Sequence, residues 1–79
     1  MNKKEIKQEM MSFIQDNKEI FSKDWDYHTK IDGRDIGYWI TEIAENNIDE
    51  CEQEIAEAYI CDNIDKWIEN IKKEGEKND

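Results

Sequence analysis

Residues 48–74, IDECEQEIAEAYICDNIDKWIENIKKE, contain neither proline nor glycine and carry apolar residues in every turn, so their reading decides the fold. At about 100° per residue, Ile48, Cys51, Ile55, Ala58 and Tyr59 share one helix face. Ile60, Ile64, Trp67, Ile68 and Ile71 share another, about half a turn away. One straight helix cannot bury both faces against a single neighbour. The pattern therefore predicts two helices with a break near Cys61-Asp62-Asn63, Asp62 being the N-cap of a last helix from residue 63 to about 74. Asn47, with Glu50 three residues on, resembles a capping box that would start the first of the two. Gly75 is the expected stop.

Upstream of this stretch, Ile36, Trp39, Ile40, Ile43 and Ala44 form one apolar stripe of a helix from Asp35 that ends at Asn46-Asn47. The same region admits a hairpin around the turn signal Asp32-Gly33, in which Thr29 faces Ile36, Tyr27 faces Tyr38 and Trp25 faces Ile40. The helix is preferred because its period runs on past residue 40 without a change. Residues 3–21 read as a further helix, with Ile6, Met10, Phe13, Ile14 and Phe21 on its apolar side. The expected architecture is all-α, a small bundle of about four short helices, with an α+β fold carrying a hairpin at 25–40 as the alternative. A single domain is expected over residues 1–75, with 76–79 as a frayed tail.

Seventy-nine residues allow one small domain. A domain near this size buries only about 60% of the surface its unfolded chain exposes, so a deep, water-excluding active site is hard to build. Three Trp, three Tyr and two Phe nevertheless supply enough apolar bulk for a core, despite a charged fraction of 41%. The opening Met1-Asn2-Lys3-Lys4-Glu5 leads into an amphipathic pattern rather than a secretory h-region. No run approaches the roughly 18 apolar residues that span a bilayer. Cys51 and Cys61 do not make a disulfide framework. A cytoplasmic protein with free thiols is the expectation.

The formal charge of −10 is not evenly spread. In residues 1–34, Lys3, Lys4, Lys7, Lys18, Lys23, Lys30 and Arg34 balance Glu5, Glu9, Asp16, Glu19, Asp24, Asp26 and Asp32. In residues 66–79, Lys66, Lys72, Lys73 and Lys77 balance Glu69, Glu74, Glu76 and Asp79. The whole imbalance lies between, on Asp35, Glu42, Glu45, Asp49, Glu50, Glu52, Glu54, Glu57, Asp62 and Asp65, with no lysine or arginine among them. Glu45–Asp49 and Glu50–Glu54 at i,i+4, and Glu54–Glu57 at i,i+3, would repel one another on a helix. A solvated acidic face that keeps the protein soluble accounts for this equally well.

Catalytic chemistry finds little purchase. His28 is the sole histidine and neither cysteine has a C-x-x-C partner, against a structural zinc site. Asp24-Trp25-Asp26 opens like a calcium loop, but Thr29 stands where the glycine is required and the closing Glu is absent. Cys51 with His28, or Ser12 and Ser22, lack a marked third partner and a glycine-rich oxyanion loop. Two partly buried helix cysteines are the plainer reading. No catalytic residue, metal or cofactor is assigned. Direct nucleic-acid binding is disfavoured because every cation is balanced by an acid. The ten central carboxylates suit the opposite role: at about 5–6 Å per helical turn they approximate the spacing of successive phosphates. Tyr38, Trp39, Tyr59 and Trp67 would anchor such an interface or, for the two Trp, fill the core.

The run Ile40-Thr41-Glu42-Ile43-Ala44-Glu45-Asn46-Asn47-Ile48-Asp49 resembles a motif of small helical proteins of bacteriophages and mobile elements. There a helix ending I/H-x-E-I-A-D/E-N is followed by V/I-D/P and another short helix. The match covers residues 35–75, with Cys51 and Glu52 standing where those proteins often have Tyr. The chain is also similar in type, small, acidic and rich in Lys, Glu, Ile and Asn, to anti-CRISPR and anti-restriction proteins, many of which block nucleic-acid sites. The resemblance implies a phage-type, non-enzymatic inhibitor in the cytoplasm of a bacterial host, a nucleic-acid mimic that occupies the basic surface of a defence nuclease through the ten carboxylates named above. The alternative is a regulatory or structural interaction module pairing through an apolar helix face. Neither reading involves a membrane, and both leave monomer or dimer open.

Overall fold

A computed structural model describes residues 1–49 and 51–77, with side chains described through Glu74. The fold is mainly helical, with one small antiparallel hairpin. Helix α1 spans Lys3–Asp16 and is followed by a single turn, α2, at Lys18–Phe21. Strands β1 (Lys30–Ile31) and β2 (Arg34–Asp35) lead directly into α3 (Ile36–Glu45), and α4 (Gln53–Lys77) closes the chain.

Each start and stop has a local cause. The Asn2 side chain caps α1 by accepting the Glu5 backbone N–H at 3.2 Å. The helix expected over 3–21 is interrupted at Asn17, whose amide donates back to the Phe13 carbonyl at 2.9 Å and closes the last turn. Asp32 and Gly33 both take positive φ, 54° and 82°, as a type I′ turn requires. Lys30 pairs with Asp35 and Ile31 with Arg34 across that turn. The register brings Thr29 opposite Ile36, whose N–H donates to the Thr29 carbonyl at 2.9 Å. The hairpin goes no further, because Asp35 accepts the Tyr38 N–H at 2.8 Å and caps α3. Hairpin and helix thus coexist, and the cross-strand pairs Tyr27–Tyr38 and Trp25–Ile40 do not form.

The expected break at Cys61-Asp62-Asn63 is absent: α4 is continuous over 25 residues. Ala56, Ile60, Ile64, Trp67, Ile68 and Ile71 form one buried stripe along it. The other predicted stripe is not buried; Ile55 is 58% exposed, Ala58 and Cys51 are exposed, and Ile48, which precedes the helix, and Tyr59 are only partly covered. The helix therefore needs no turn to hide a second face. Asp62 caps nothing, and the Asn63 amide donates to the Tyr59 carbonyl at 2.8 Å within the helix. Asn47 does not cap a helix either, since α4 begins at Gln53, and its expected partner Glu50 lies outside the described residues. Gly75 does not stop the helix, which runs to Lys77. Of the tail expected at 76–79, Asn78 and Asp79 lie outside the described residues.

Helices α1, α3 and α4 pack as an up-down-up bundle. The Lys3 ammonium sits over the Tyr59 ring, and Met11 and Ile71 line one groove, so α1 and α4 run parallel. Helix α3 is antiparallel to both: the Asn2 N–H donates to the Asn47 carbonyl, and Thr41 meets Glu57. The core joins Ile6, Met10 and Ile14 of α1 to Ile36, Ile40 and Ala44 of α3 and the α4 stripe, with Phe21 and Ile31 closing one end. The Trp39 indole N–H donates to the Ile31 carbonyl at 2.9 Å and fastens the hairpin to α3.

Two glycines are predicted to respond in opposite ways. At Gly33 an added Cβ meets nothing within 4 Å, so Gly33→Ala is charged only for its left-handed backbone, a loss of about 1 kcal/mol. At Gly37, inside α3, an added Cβ makes ordinary contact with Asp35 Oδ1 at 3.5 Å, so Gly37→Ala is expected to gain about 0.5 kcal/mol. Urea midpoints of the two variants check both signs.

Candidate functional site

The ten central carboxylates divide by what the fold does with them. Asp35, half-buried, is the N-cap of α3. Glu57, half-buried, accepts the Thr41 hydroxyl and the Gln53 amide, each at 3.0 Å, and ties α4 to α3. Glu52 lies 2.6 Å from the Met1 amino group and accepts the Asp49 N–H at 3.4 Å. The hydrogen bond from the amino terminus, with that from Asp49, holds the Glu52 carboxyl below its ordinary value of 4.5.

Six others have no such task. Glu42 is half-buried, and Glu45, Asp49, Glu54, Asp62 and Asp65 are exposed. No side chain of the six makes a hydrogen bond or ion pair among the described residues. Glu50 lies outside the described residues. On α4, Glu54, Asp62 and Asp65 fall within an arc of about 80° turned away from the buried stripe. Glu42 and Glu45 stand on the neighbouring antiparallel α3. The repulsion expected at Glu45–Asp49 is avoided because Asp49 lies beyond the end of α3, and Glu54–Glu57 is eased by the two donors on Glu57.

A second acidic surface was hidden by the zero net charge of residues 1–34. Helix α1 is segregated: Lys4 and Lys7 line the groove towards α4, with Asp16 and Glu74 at its far end. Glu5, Glu9 and Asp16, spaced i, i+4 and i+11, line the groove towards α3. That groove also has Gln8, Ser12 and Asn46 on its sides and the half-buried Phe13 and Ile43 beneath, and no lysine or arginine lines it. The helical spacing of the three acids was the signal in the sequence that a sum of charges discards.

Among the aromatics, Trp67 is buried, and Tyr59 packs edge-on to it at 5.7 Å. Trp39 is half-buried, and the Tyr38 ring lies 4.6 Å from the Arg34 guanidinium. Tyr27 is 41% exposed. Its phenol is pushed up to about 12 by burial of the hydroxyl and by the neighbouring Cys61 and Asp65. Cys51 and Cys61 are free and exposed, not the partly buried helix cysteines expected; Cys51 lies outside any helix with φ at 79°. Among the described residues no three His, Cys, Asp or Glu side chains converge as metal ligands would. No helix among them is long and apolar enough to cross a membrane.

No protein-family model, curated protein or solved structure matches the chain.

The depressed Glu52 carboxyl gives a pH prediction. A group whose folded pKa lies below its unfolded value stabilises the fold above the unfolded value, and that contribution is lost as pH falls through the folded one. The wild-type chain should therefore exceed Glu52→Gln in urea midpoint at pH 7 and pH 5. The gap should close below the ordinary value of 4.5. Denaturation series at pH 7, 5 and 3 measure it.

Proposed function

We propose that this protein is a non-enzymatic acidic binder that occupies a basic, nucleic-acid-binding surface of a partner protein, as an inhibitor of a host defence nuclease of the kind that anti-CRISPR and anti-restriction proteins block. One observation carries the reading: six carboxylates of a segment without cations stand on α3, on α4 and in their junction with no partner among the described residues. Charge that a fold neither pairs nor buries raises self-repulsion without adding stability. A cationic partner would relieve it. Glu54, Asp62 and Asp65 on one side of α4, with Glu42 and Glu45 on α3, offer a negative surface of the kind that a phosphate-binding cleft accepts.

A second reading, an interaction module pairing through an apolar helix face, is favoured by Ile55, the most exposed large aliphatic side chain among the described residues, next to the exposed Ala58. The two readings separate by salt, because charge-driven binding weakens with ionic strength and apolar pairing does not.

The test uses two variants, each four charges less negative. One replaces Glu45 and Glu54 by Gln and Asp62 and Asp65 by Asn; the other replaces Glu19, Glu69 and Glu74 by Gln and Asp24 by Asn. All eight side chains are exposed and make no hydrogen bond among the described residues, so both variants should fold. Proteins captured from a bacterial lysate on the immobilised wild-type chain should elute with duplex DNA and between roughly 50 and 200 mM salt. The first variant should lose most of that capture and the second should keep it. Capture indifferent to both DNA and salt removes the mimicry reading and leaves the apolar module.

A further inference from the structure

We propose that the groove between α1 and α3 is the docking site for a basic amphipathic helix of the partner, with an apolar side chain of that helix seated on Phe13 and Ile43 and its lysines or arginines on Glu5, Glu9 and Asp16. This rests on the reading of the chain as a binder of cationic protein surfaces, and it adds a contact outside the central acidic segment.

Shape and charge coincide there. Phe13 and Ile43 are packed against the core yet remain only half-buried, so the groove has an apolar floor that the chain itself does not cover. Three carboxylates of α1 line it without a cation, although α1 as a whole holds three lysines against those three acids. The lysines of α1 nearest to those acids, Lys4 and Lys7, face the other groove. Glu9 already accepts a hydrogen bond from the Asn47 amide, which fixes its carboxylate at the rim; Glu5 and Asp16 make no side-chain bond among the described residues. On the α3 side, the half-buried Glu42 stands one turn before Asn46.

Charge complementarity selects the occupant. A nucleic acid would be repelled by the rim. A second copy docked two-fold through the same groove would set Glu5, Glu9 and Asp16 against their own duplicates, on chains that each carry −10. A helix with one apolar stripe flanked by Lys or Arg satisfies both floor and rim, in the manner of helix-in-groove recognition.

The probe is a fluorescein-labelled 18-residue synthetic helix, leucine at i, i+3, i+4 and i+7 and lysine elsewhere, titrated with the full chain at low salt. A scrambled peptide of the same composition serves as reference. The amphipathic peptide should bind about tenfold more tightly than the scrambled one. Glu5→Gln with Asp16→Asn should weaken binding about fivefold, whereas Glu19→Gln with Glu69→Gln should change it less than about twofold. Backbone amide shifts on adding unlabelled peptide should centre on residues 5–16 and 39–46, a readout that needs no variant to fold. Shifts centred on 54–65 would overturn the groove and leave the proposed function standing on α4. Equal weakening by the two pairs, or equal binding of the scrambled peptide, would overturn the groove as a shaped site. No binding at low salt would overturn the groove and leave the proposed function to its own test, the capture on the α3–α4 carboxylates. A concentration-dependent dimer in sedimentation equilibrium, abolished by the groove pair, would replace the partner helix with a second copy and overturn the inference.

Discussion

Burial of a single stripe on α4 is the constraint on which the other elements depend. Ala56, Ile60, Ile64, Trp67, Ile68 and Ile71 lie on one side of a helix that is about 37 Å long and accounts for most of the molecule's 44 Å longest extent. A lone amphipathic helix of this composition would gain little from propensity in water; it is held by what packs against it. Helices α1 and α3 are both short, and each contributes three fully covered apolar residues to that stripe, Ile6, Met10 and Ile14 from one and Ile36, Ile40 and Ala44 from the other. The domain is a lid of two short helices on one long one.

Asparagine does much of the polar closure that this arrangement demands. Asn2 starts α1, Asn17 ends it, Asn47 ends α3 by donating to the Ile43 carbonyl at 2.9 Å, and Asn63 bonds back along α4. The same residue type thus caps, terminates and continues helices, according to which carbonyl or N–H the local backbone leaves open. Where a tighter reversal is needed, Asp32 and Gly33 supply positive φ, and Asp35 converts the second strand into a helix within one residue. No buried side-chain polar atom among the described residues lacks a partner.

Electrostatics enters on a different footing. Among the described residues one ion pair, Met1 with Glu52, joins opposite charges within 4 Å. The folded chain therefore carries its acids outward rather than knitting them into networks, and it does so on two surfaces. One is the cation-free segment of α3 and α4; the other is the α1 side of the groove towards α3, where a neutral stretch of sequence turns its acids to one groove and Lys4 and Lys7 to the other. Both bear an apolar element, Ile55 on the first and Phe13 with Ile43 in the second. An acidic array with an apolar foothold is the chemistry that a cationic protein surface recognises.

The mainly helical character, the stripes of α1 and α3, the junction at Asn46-Asn47, the Asp32-Gly33 turn and the position of the net charge were all legible in the residues. Period, capping chemistry and charge are local properties that act within a turn or two. Continuity of α4 was not legible. Two apolar stripes on one stretch can mean a break or an uncovered face, and only the number of neighbours decides which; here α1 and α3 lie on one side, so Ile55 and Ala58 stay in solvent. Asp35 is taken up by a local cap three residues long, but tertiary contacts alone withdrew Glu52 and Glu57 into the fold and brought Glu5, Glu9 and Asp16 beside Ile43 and Asn46, because hydrogen bonds and grooves form between residues up to 51 positions apart. The sequence determined how much charge the molecule bears and in which segment; packing decided which of those charges the fold uses and which it leaves in solvent.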